Sequence, residues 1–250
     1  MQAYLTLVRR ELGGYFNSLT GYVIIASVLL LLGFSFTDML VKLNATPTFV
    51  PLTELFYSSY YFWLILLLTA PIITMRTFAL EKFSGTYETL MTAPVSDLQV
   101  VMAKFTGTLL FYLLTWLPLL GCMVVVRYYT GESTLLEPRT TLTTYLGILL
   151  VGGLYMAFGC FASALTRSQI IAAMIGFALG LTLFLLSMRS YMPAPPTDWG
   201  AKVYAYIAVG EHMESFVRGV VDTRHLVFYV TLTLFFLFLT LKVVESRRWK

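Results

Sequence analysis

The sequence predicts an all-α integral membrane protein, and three observations support this fold class. Hydrophobic residues make up 58% of the 250 residues and charged residues only 12%, against roughly 25% charged residues in soluble domains. The mean hydropathy is +0.78. Six stretches are apolar and long enough for a transmembrane helix, which needs about 20 mainly apolar residues.

The predicted spans lie in a single domain, residues 1–250, and contain almost no charge. Lys242, near the end of the last span, is the one Asp, Glu, Lys or Arg inside them, whereas an ion-coupled transporter is expected to bury such residues at its coupling site. The proline-containing stretch 42–55 after the first span predicts an external loop. The spans are residues 20–37, 57–75, 105–126, 142–164, 170–188 and 226–244.

The distribution of basic residues predicts that both termini are cytoplasmic. An even number of spans places the termini on one side, and in this orientation ten of the 17 Lys and Arg residues fall in cytoplasmic segments. The basic end "ESRRWK" agrees with a last helix that arrives in the cytoplasm. This bias explains the net charge of +4, so nucleic acid is not an expected partner.

Residues 3–19 predict an amphipathic helix along the inner membrane surface, before the first span. Arg9 and Arg10 lie away from its apolar side chains on the helical wheel, and Gly13 with Gly14 favours a bend. The alternative is a first span that continues into the cytoplasm as one helix. The apolar residues are Tyr4, Leu5, Val8, Leu12, Tyr15, Phe16 and Leu19.

Residues 79–92 predict a short cytoplasmic helix between the second and third spans. Helical periodicity collects the apolar side chains on one face and turns Glu81, Lys82 and Glu88 away from it. Gly85 in the middle costs about 1 kcal/mol relative to alanine, which suggests close approach of a partner to the backbone. The apolar face contains Leu80, Phe83, Tyr87, Leu90 and Met91.

The next helix has a clear start signal. Pro94 disfavours helix at the preceding residue, and Ser96 with Gln99 has the spacing of a capping box. The sequence contains no G-x-x-x-x-G-K-[ST] phosphate loop, so energy for transport against a gradient would come from a partner. A rigid cytoplasmic helix would be a suitable contact for that partner, and the alternative is a helix that rests on the membrane without one.

Residues 203–221 predict a pair of short helices at the external face, separated at Gly210. Neither helix is long enough to span, but both could dip into the outer leaflet when packed against protein. The second helix repeats apolar residues at i, i+3, i+4 and i+7, so this face is predicted to pack against the bundle. Its residues are Met213, Phe216, Val217 and Val220.

The sequence does not predict an enzyme or a metal site. Glu211, His212 and Glu214 project in different directions from a helix. The spans hold no paired carboxylates and no Ser, His and Asp set placed for nucleophilic catalysis, so an intramembrane enzyme is an unsupported alternative.

The segment "MRTFALEKFSGTYETLMTAPVSDLQVVMAKF" resembles the part that joins spans two and three in permeases of type 2 ATP-binding-cassette (ABC) exporters. The resemblance continues in "RRELGGYFNSLTGYVI" and "HMESFVRGVVDTRHLVFYV", and the nearest branch is that of the gliding-motility permeases. Tyr87 and Thr89 depart from the pattern, where smaller or aliphatic residues are expected. The matching residues of the first segment are Arg76, Glu81, Lys82, Gly85, Thr86, Glu88, Leu90, Pro94, Val95 and Ser96.

The resemblance implies a six-helix membrane subunit in the bacterial inner (cytoplasmic) membrane, paired with a second copy or a paralogue. Two ABC ATPase subunits would bind ATP and Mg²⁺, and this chain would bind no cofactor. Residues 3–19 correspond to the elbow helix of the family, with Arg9, Arg10 and Glu11, and residues 79–92 to the coupling helix that docks on the ATPase. The implied ATPase contacts are Glu81, Lys82, Gly85, Thr86, Glu88, Leu90 and Pro94.

An exporter would have membrane lipids among its partners. Two other function classes are compatible with the sequence. A non-transporting subunit would assemble with an extracytoplasmic auxiliary protein or transmit force to it. A secondary transporter would work without an ATPase, and an uncoupler would abolish its transport.

Overall fold

The computed structural model describes residues 2–45, 51–57, 59–88, 95–130, 137–188 and 199–248, which form helices and turns without a strand. Six of the helices are long and apolar enough to cross a membrane, so the predicted all-α, six-span fold class is confirmed. In chain order the helices are α1 (Gln2–Phe16), α2 (Leu19–Ala45), α3 (Leu52–Tyr57), α4 (Tyr61–Thr74), α5 (Ala79–Ser84), α6 (Asp97–Thr130), α7 (Pro138–Leu165), α8 (Gln169–Met188), α9 (Trp199–Ile207), α10 (Val209–Val217) and α11 (Thr223–Arg248).

The membrane-spanning helices are α2, α4, α6, α7, α8 and α11. All of them except α4 are longer than the apolar runs from which they were predicted, and α2 and α6 extend furthest. Helix α2 continues past Asp38 and Lys42, and α6 starts at Asp97 and includes Lys104. Helix α6 opens with the expected capping box, since Gln99 N donates to Ser96 Oγ at 3.2 Å and Ser96 N donates to Gln99 Oε1 at 3.3 Å.

A short helix, α3, lies where the sequence predicted an external loop and the start of the second span. Leu52 and Phe56 are buried, and the Thr53 hydroxyl donates to the carbonyl of Val217 at 3.0 Å. The prediction missed this helix because Pro51 resembles a turn signal, whereas here its carbonyl accepts the first hydrogen bonds of α3.

Helix α1 is a separate element, because a turn at Asn17 and Ser18 divides it from α2. The turn lies after the glycine pair at which a bend was predicted. Tyr15 attaches α1 to the bundle: its ring stacks on Phe111 with 4.4 Å between centroids, and its hydroxyl donates to the carbonyl of Ile73 at 2.8 Å. The position of α1 along a membrane surface stays a prediction.

Helix α7 lies at the centre of the bundle, where it packs against α4, α6, α8, α10 and α11. Most of its side chains are buried. Gly152 faces the ring of Tyr112, and a Cβ added there would lie 2.0 Å from Cε1 of that ring. Close contact between α6 and α7 therefore depends on the missing side chain at this position.

The pair of short helices predicted at the external face corresponds to α9 and α10, and the break falls at Ala208 instead of Gly210. Met213, Phe216 and Val217 of α10 are fully buried against the bundle, but Val220 is 54% exposed. The prediction for Val220 is wrong because α10 ends at Val217, and Gly219, with φ +82°, turns the chain before the next helical step.

Candidate functional site

The candidate coupling segment, α5 with residues 85–88, is anchored on the C-terminal end of α7. The backbone N–H groups of Phe78 and Ala79 both donate to Ser163 Oγ at 3.0 Å. Ser163 Oγ donates in turn to the carbonyl of Met75 at 3.0 Å. Lys82 Nζ donates to the carbonyl of Ala164, at the end of α7. The start of the segment is therefore held by directional hydrogen bonds to the bundle.

Glu81, Lys82 and Phe83 of α5 are oriented opposite to the prediction. Glu81 and Lys82 are 9% and 8% exposed, whereas Phe83, which was assigned to the apolar face, is 77% exposed. The reason is electrostatic, because charges can be buried when opposite charges and hydrogen-bond acceptors meet them. In this structure Glu81 and Lys82 face the bundle instead of an outer surface that could contact an ATPase.

Lys104 is the point where α1, α5 and α6 meet. Its side chain is 3% exposed, and Nζ lies 2.7 Å from Glu11 Oε1 and 2.9 Å from Glu81 Oε1. Nζ also donates to the carbonyl of Thr77 at 2.7 Å. Arg10 Nη2 lies 3.6 Å from the same oxygen of Glu81. We call Arg10, Glu11, Glu81 and Lys104 the ionic cluster.

A cleft of about 210 Å³ opens between α1 and α5 beside the ionic cluster. Arg76, on one wall of the cleft, donates to the hydroxyls of Ser18 and Thr20 and so connects the end of α4 to the turn between α1 and α2. Arg9 is exposed on the outside of α1. Two of the three residues predicted for the elbow helix, Arg10 and Glu11, therefore belong to the ionic cluster.

The exposed end of the segment, Phe83 with Gly85, Thr86 and Glu88, is called the coupling tip. Gly85 ends α5 with φ +75°, in the left-handed region that favours glycine, and residues 86–88 are helical again. All four residues of the tip are exposed. Two further predicted contacts, Leu90 and Pro94, lie outside the described residues.

Sequence reasoning missed the two residues that organise this end of the bundle, Lys104 and Ser163. Lys104 carries a weak signal, since it is a single cation at the edge of a long apolar run and lies one residue before the predicted third span. Ser163 carries none, because a serine within an apolar span resembles any small packing residue.

Where α10 meets α11, two histidines that the sequence did not pair lie against each other. His212 of α10 stacks on His225 in the first turn of α11, with 3.9 Å between ring centroids and 27° between planes. Burial lowers the pKa of His212 to about 4; the neighbouring His225 acts in the same direction, and the carboxylate of Asp222 opposes both.

We expect the stability of the chain to fall as the pH is lowered from 6.5 to 4. In this pH window His212 is protonated in the unfolded chain but stays neutral in the folded chain. The free energy of unfolding therefore decreases by up to about 1.4 kcal/mol for each unit by which the pH is lowered. Thermal unfolding in detergent should show a Tm that falls by up to about 3–6 °C for each unit by which the pH is lowered. His212→Leu should flatten this dependence, and a variant that keeps the full slope would show that another group is responsible.

Comparison with known proteins identifies one family. The family model described as "ABC-2 family transporter protein" matches residues 37–240. The matched region includes α3 to α10 and most of α11, and with them the coupling tip and Lys104, whereas α1 precedes it. A search of curated proteins finds no match.

Proposed function

The chain belongs to the ABC-2 family of transporter proteins, and on this premise we propose that it couples ATP hydrolysis in a separate ATPase to a conformational change in the membrane. Membership identifies it as the membrane, or permease, subunit of an ABC transporter, and it implies an ABC ATPase partner. The chain is a multi-pass membrane protein. The conformational change would serve export or the transmission of force to an extracytoplasmic auxiliary protein.

In the proposed assembly, this chain pairs with a second copy or a paralogue in the bacterial inner membrane and sits on two ATPase subunits. Both termini and the coupling tip face the cytoplasm, and ATP and Mg²⁺ bind to the ATPase subunits. The external helices α9 and α10 then lie on the opposite side, where they would form part of an external gate or the surface that contacts an auxiliary protein.

The observation that carries the proposal is the contrast between the two sides of α5. Phe83 projects outward with 77% exposure, whereas Glu81 on the inner side is held by Lys104 at 2.9 Å. A docking surface requires an accessible side that can meet the partner and a rigid base that can transmit its displacement. The coupling tip supplies the accessible side, and the ionic cluster supports the rigid base.

We expect Glu88→Arg to reduce binding of the ATPase by about tenfold or more, because it reverses a charge on the exposed coupling tip. The measurement is the amount of ABC ATPase that copurifies with the tagged chain from its own membrane. Glu137→Arg is the matched control, since Glu137 is also exposed and lies at the opposite end of α7 from Ser163.

Equal loss of the ATPase in both variants, or in neither, would contradict the docking role of the tip. With the intact complex in sealed vesicles, ATP-dependent movement of a lipid or solute would identify an exporter, and ATP hydrolysis without such movement would identify a mechanotransmitter. Transport that persists without the ATPase and collapses with an uncoupler would place the chain in the secondary-transporter class.

A further inference from the structure

Lys104 Nζ is surrounded by oxygen atoms inside the protein. An ammonium group has three N–H donors, and Nζ meets three oxygens, from Glu11, Glu81 and Thr77, at 2.7–2.9 Å. These acceptors lie on α1, on α5 and in the turn that joins α4 to α5. A single side chain of the third span therefore joins α1 to the α4–α5 turn and α5, which lie far from α1 and from Lys104 in the sequence.

The link between α1 and α5 is mainly ionic. The cleft of about 210 Å³ separates the two helices, and charged pairs cross it at one end. Helix α1 also contacts α6 directly, since the hydroxyls of Tyr4 and Thr106 lie 2.8 Å apart. Without the ionic cluster, α1 would remain on α6 and α5 would remain on α7, but the direct link between α1 and α5 would be lost.

The charges of the ionic cluster are balanced, and this balance allows its role as a link between α1 and α5 to be tested. The cluster contains two carboxylates and two cations, and Lys104 is the member with the lowest exposure, at 3%. A buried pair broken on one side is costly because it leaves an uncompensated charge, whereas a network neutralised as a whole often keeps its stability. Stability and mechanical linkage can therefore be separated by experiment.

We propose that Lys104 is a positioning residue that locks α1 and α5 into one body on the base of the third span, so that a displacement of the coupling tip moves both helices together. This inference rests on the proposed function, because the displacement comes from the ATPase. Lys104 acts through Glu11 and Glu81.

The test measures amide exchange of the intact permease–ATPase complex with and without trapping by ATP, Mg²⁺ and orthovanadate. In the unmodified complex, exchange in residues 2–16 and in residues 79–88 should change together. The decisive variant combines Lys104→Met with Glu11→Gln and Glu81→Gln, which removes the buried charges together and so should keep the fold and ATPase assembly. We expect it to retain the response of residues 79–88 and to lose that of residues 2–16.

Two single variants complete the design. Lys104→Arg keeps the charge and the donors and should retain the joint response. Lys242→Met is the matched control, because Lys242 pairs with Glu245 at 2.8 Å on an exposed part of α11, and it should leave the joint response intact.

A triple variant in which both segments still respond together would overturn the inference, because the cluster would then serve stability alone. If Lys242→Met also lost the joint exchange response of residues 2–16 and 79–88, the inference would be overturned, because the loss of any lysine ion pair would then have the same effect. If no ABC ATPase copurifies with the unmodified chain, the proposed function fails, and the inference falls with it.

Discussion

Replacing Gly152 with alanine is expected to destabilise the bundle by about 3 kcal/mol, a fall in Tm of about 6–12 °C for a chain of this size. The new Cβ would lie 2.0 Å from Cε1 and 2.7 Å from Cζ of Tyr112, whose side chain is fully buried. The ring cannot swing into solvent, so α6 and α7 must separate or the ring must leave its rotamer. Thermal unfolding in detergent measures the effect.

Gly153 provides the control for this substitution. It is the next residue in α7, and a Cβ added there would meet no atom within 4 Å. Gly153→Ala should keep the Tm or raise it slightly, because alanine is the better helix former by about 1 kcal/mol. Combining Gly152→Ala with Tyr112→Leu should recover part of the loss. Similar Tm values for the two alanine variants would contradict the steric argument.

Replacing Gly21 with alanine is expected to release α1 from the bundle. A Cβ at Gly21 would lie 2.1 Å from the carbonyl oxygen of Tyr15 and 2.8 Å from its carbonyl carbon. These are backbone atoms, and Tyr15 is held by its stacking on Phe111 and its hydrogen bond to Ile73. The turn between α1 and α2 must therefore open, and we expect amide exchange in residues 2–16 to accelerate by about tenfold or more.

Gly33 serves as the comparison in the same helix, since a Cβ there would meet no atom within 4 Å. Gly33→Ala should leave exchange in residues 2–16 unchanged. If Gly21→Ala also left it unchanged, the turn would be flexible enough to absorb the side chain, and the angle between α1 and α2 would not depend on this glycine.

Periodicity and end signals in the sequence predicted most of the fold. The apolar runs predicted the six spans, Ser96 and Gln99 predicted the start of α6, and the repeat at Met213, Phe216 and Val217 marks the face of α10 that is buried. These signals are local, because they depend on residues within one or two helical turns. The departures at α3 and Val220 occur where a helix starts or ends, and tertiary contacts decide such boundaries.

The orientation of α5 could not be predicted from its own residues. Periodicity shows that one face differs from the other, and the prediction was that the charged side is aimed at the cytoplasm. Here Glu81 of that side faces the bundle, because it meets Lys104. The prediction fails at the end of a bundle, where charges from different helices can neutralise one another.

By itself, the sequence determined the fold class and the order of the six spans, because hydrophobic periodicity and capping act within short stretches of chain. Only the tertiary structure decided which side of α5 is exposed and which residues bind it to α1 and the third span. The physical reason is that Glu11 and Lys104 are separated by 93 positions along the chain and 2.7 Å in space. An ion pair between such residues depends on how the helices pack, and no local pattern encodes it.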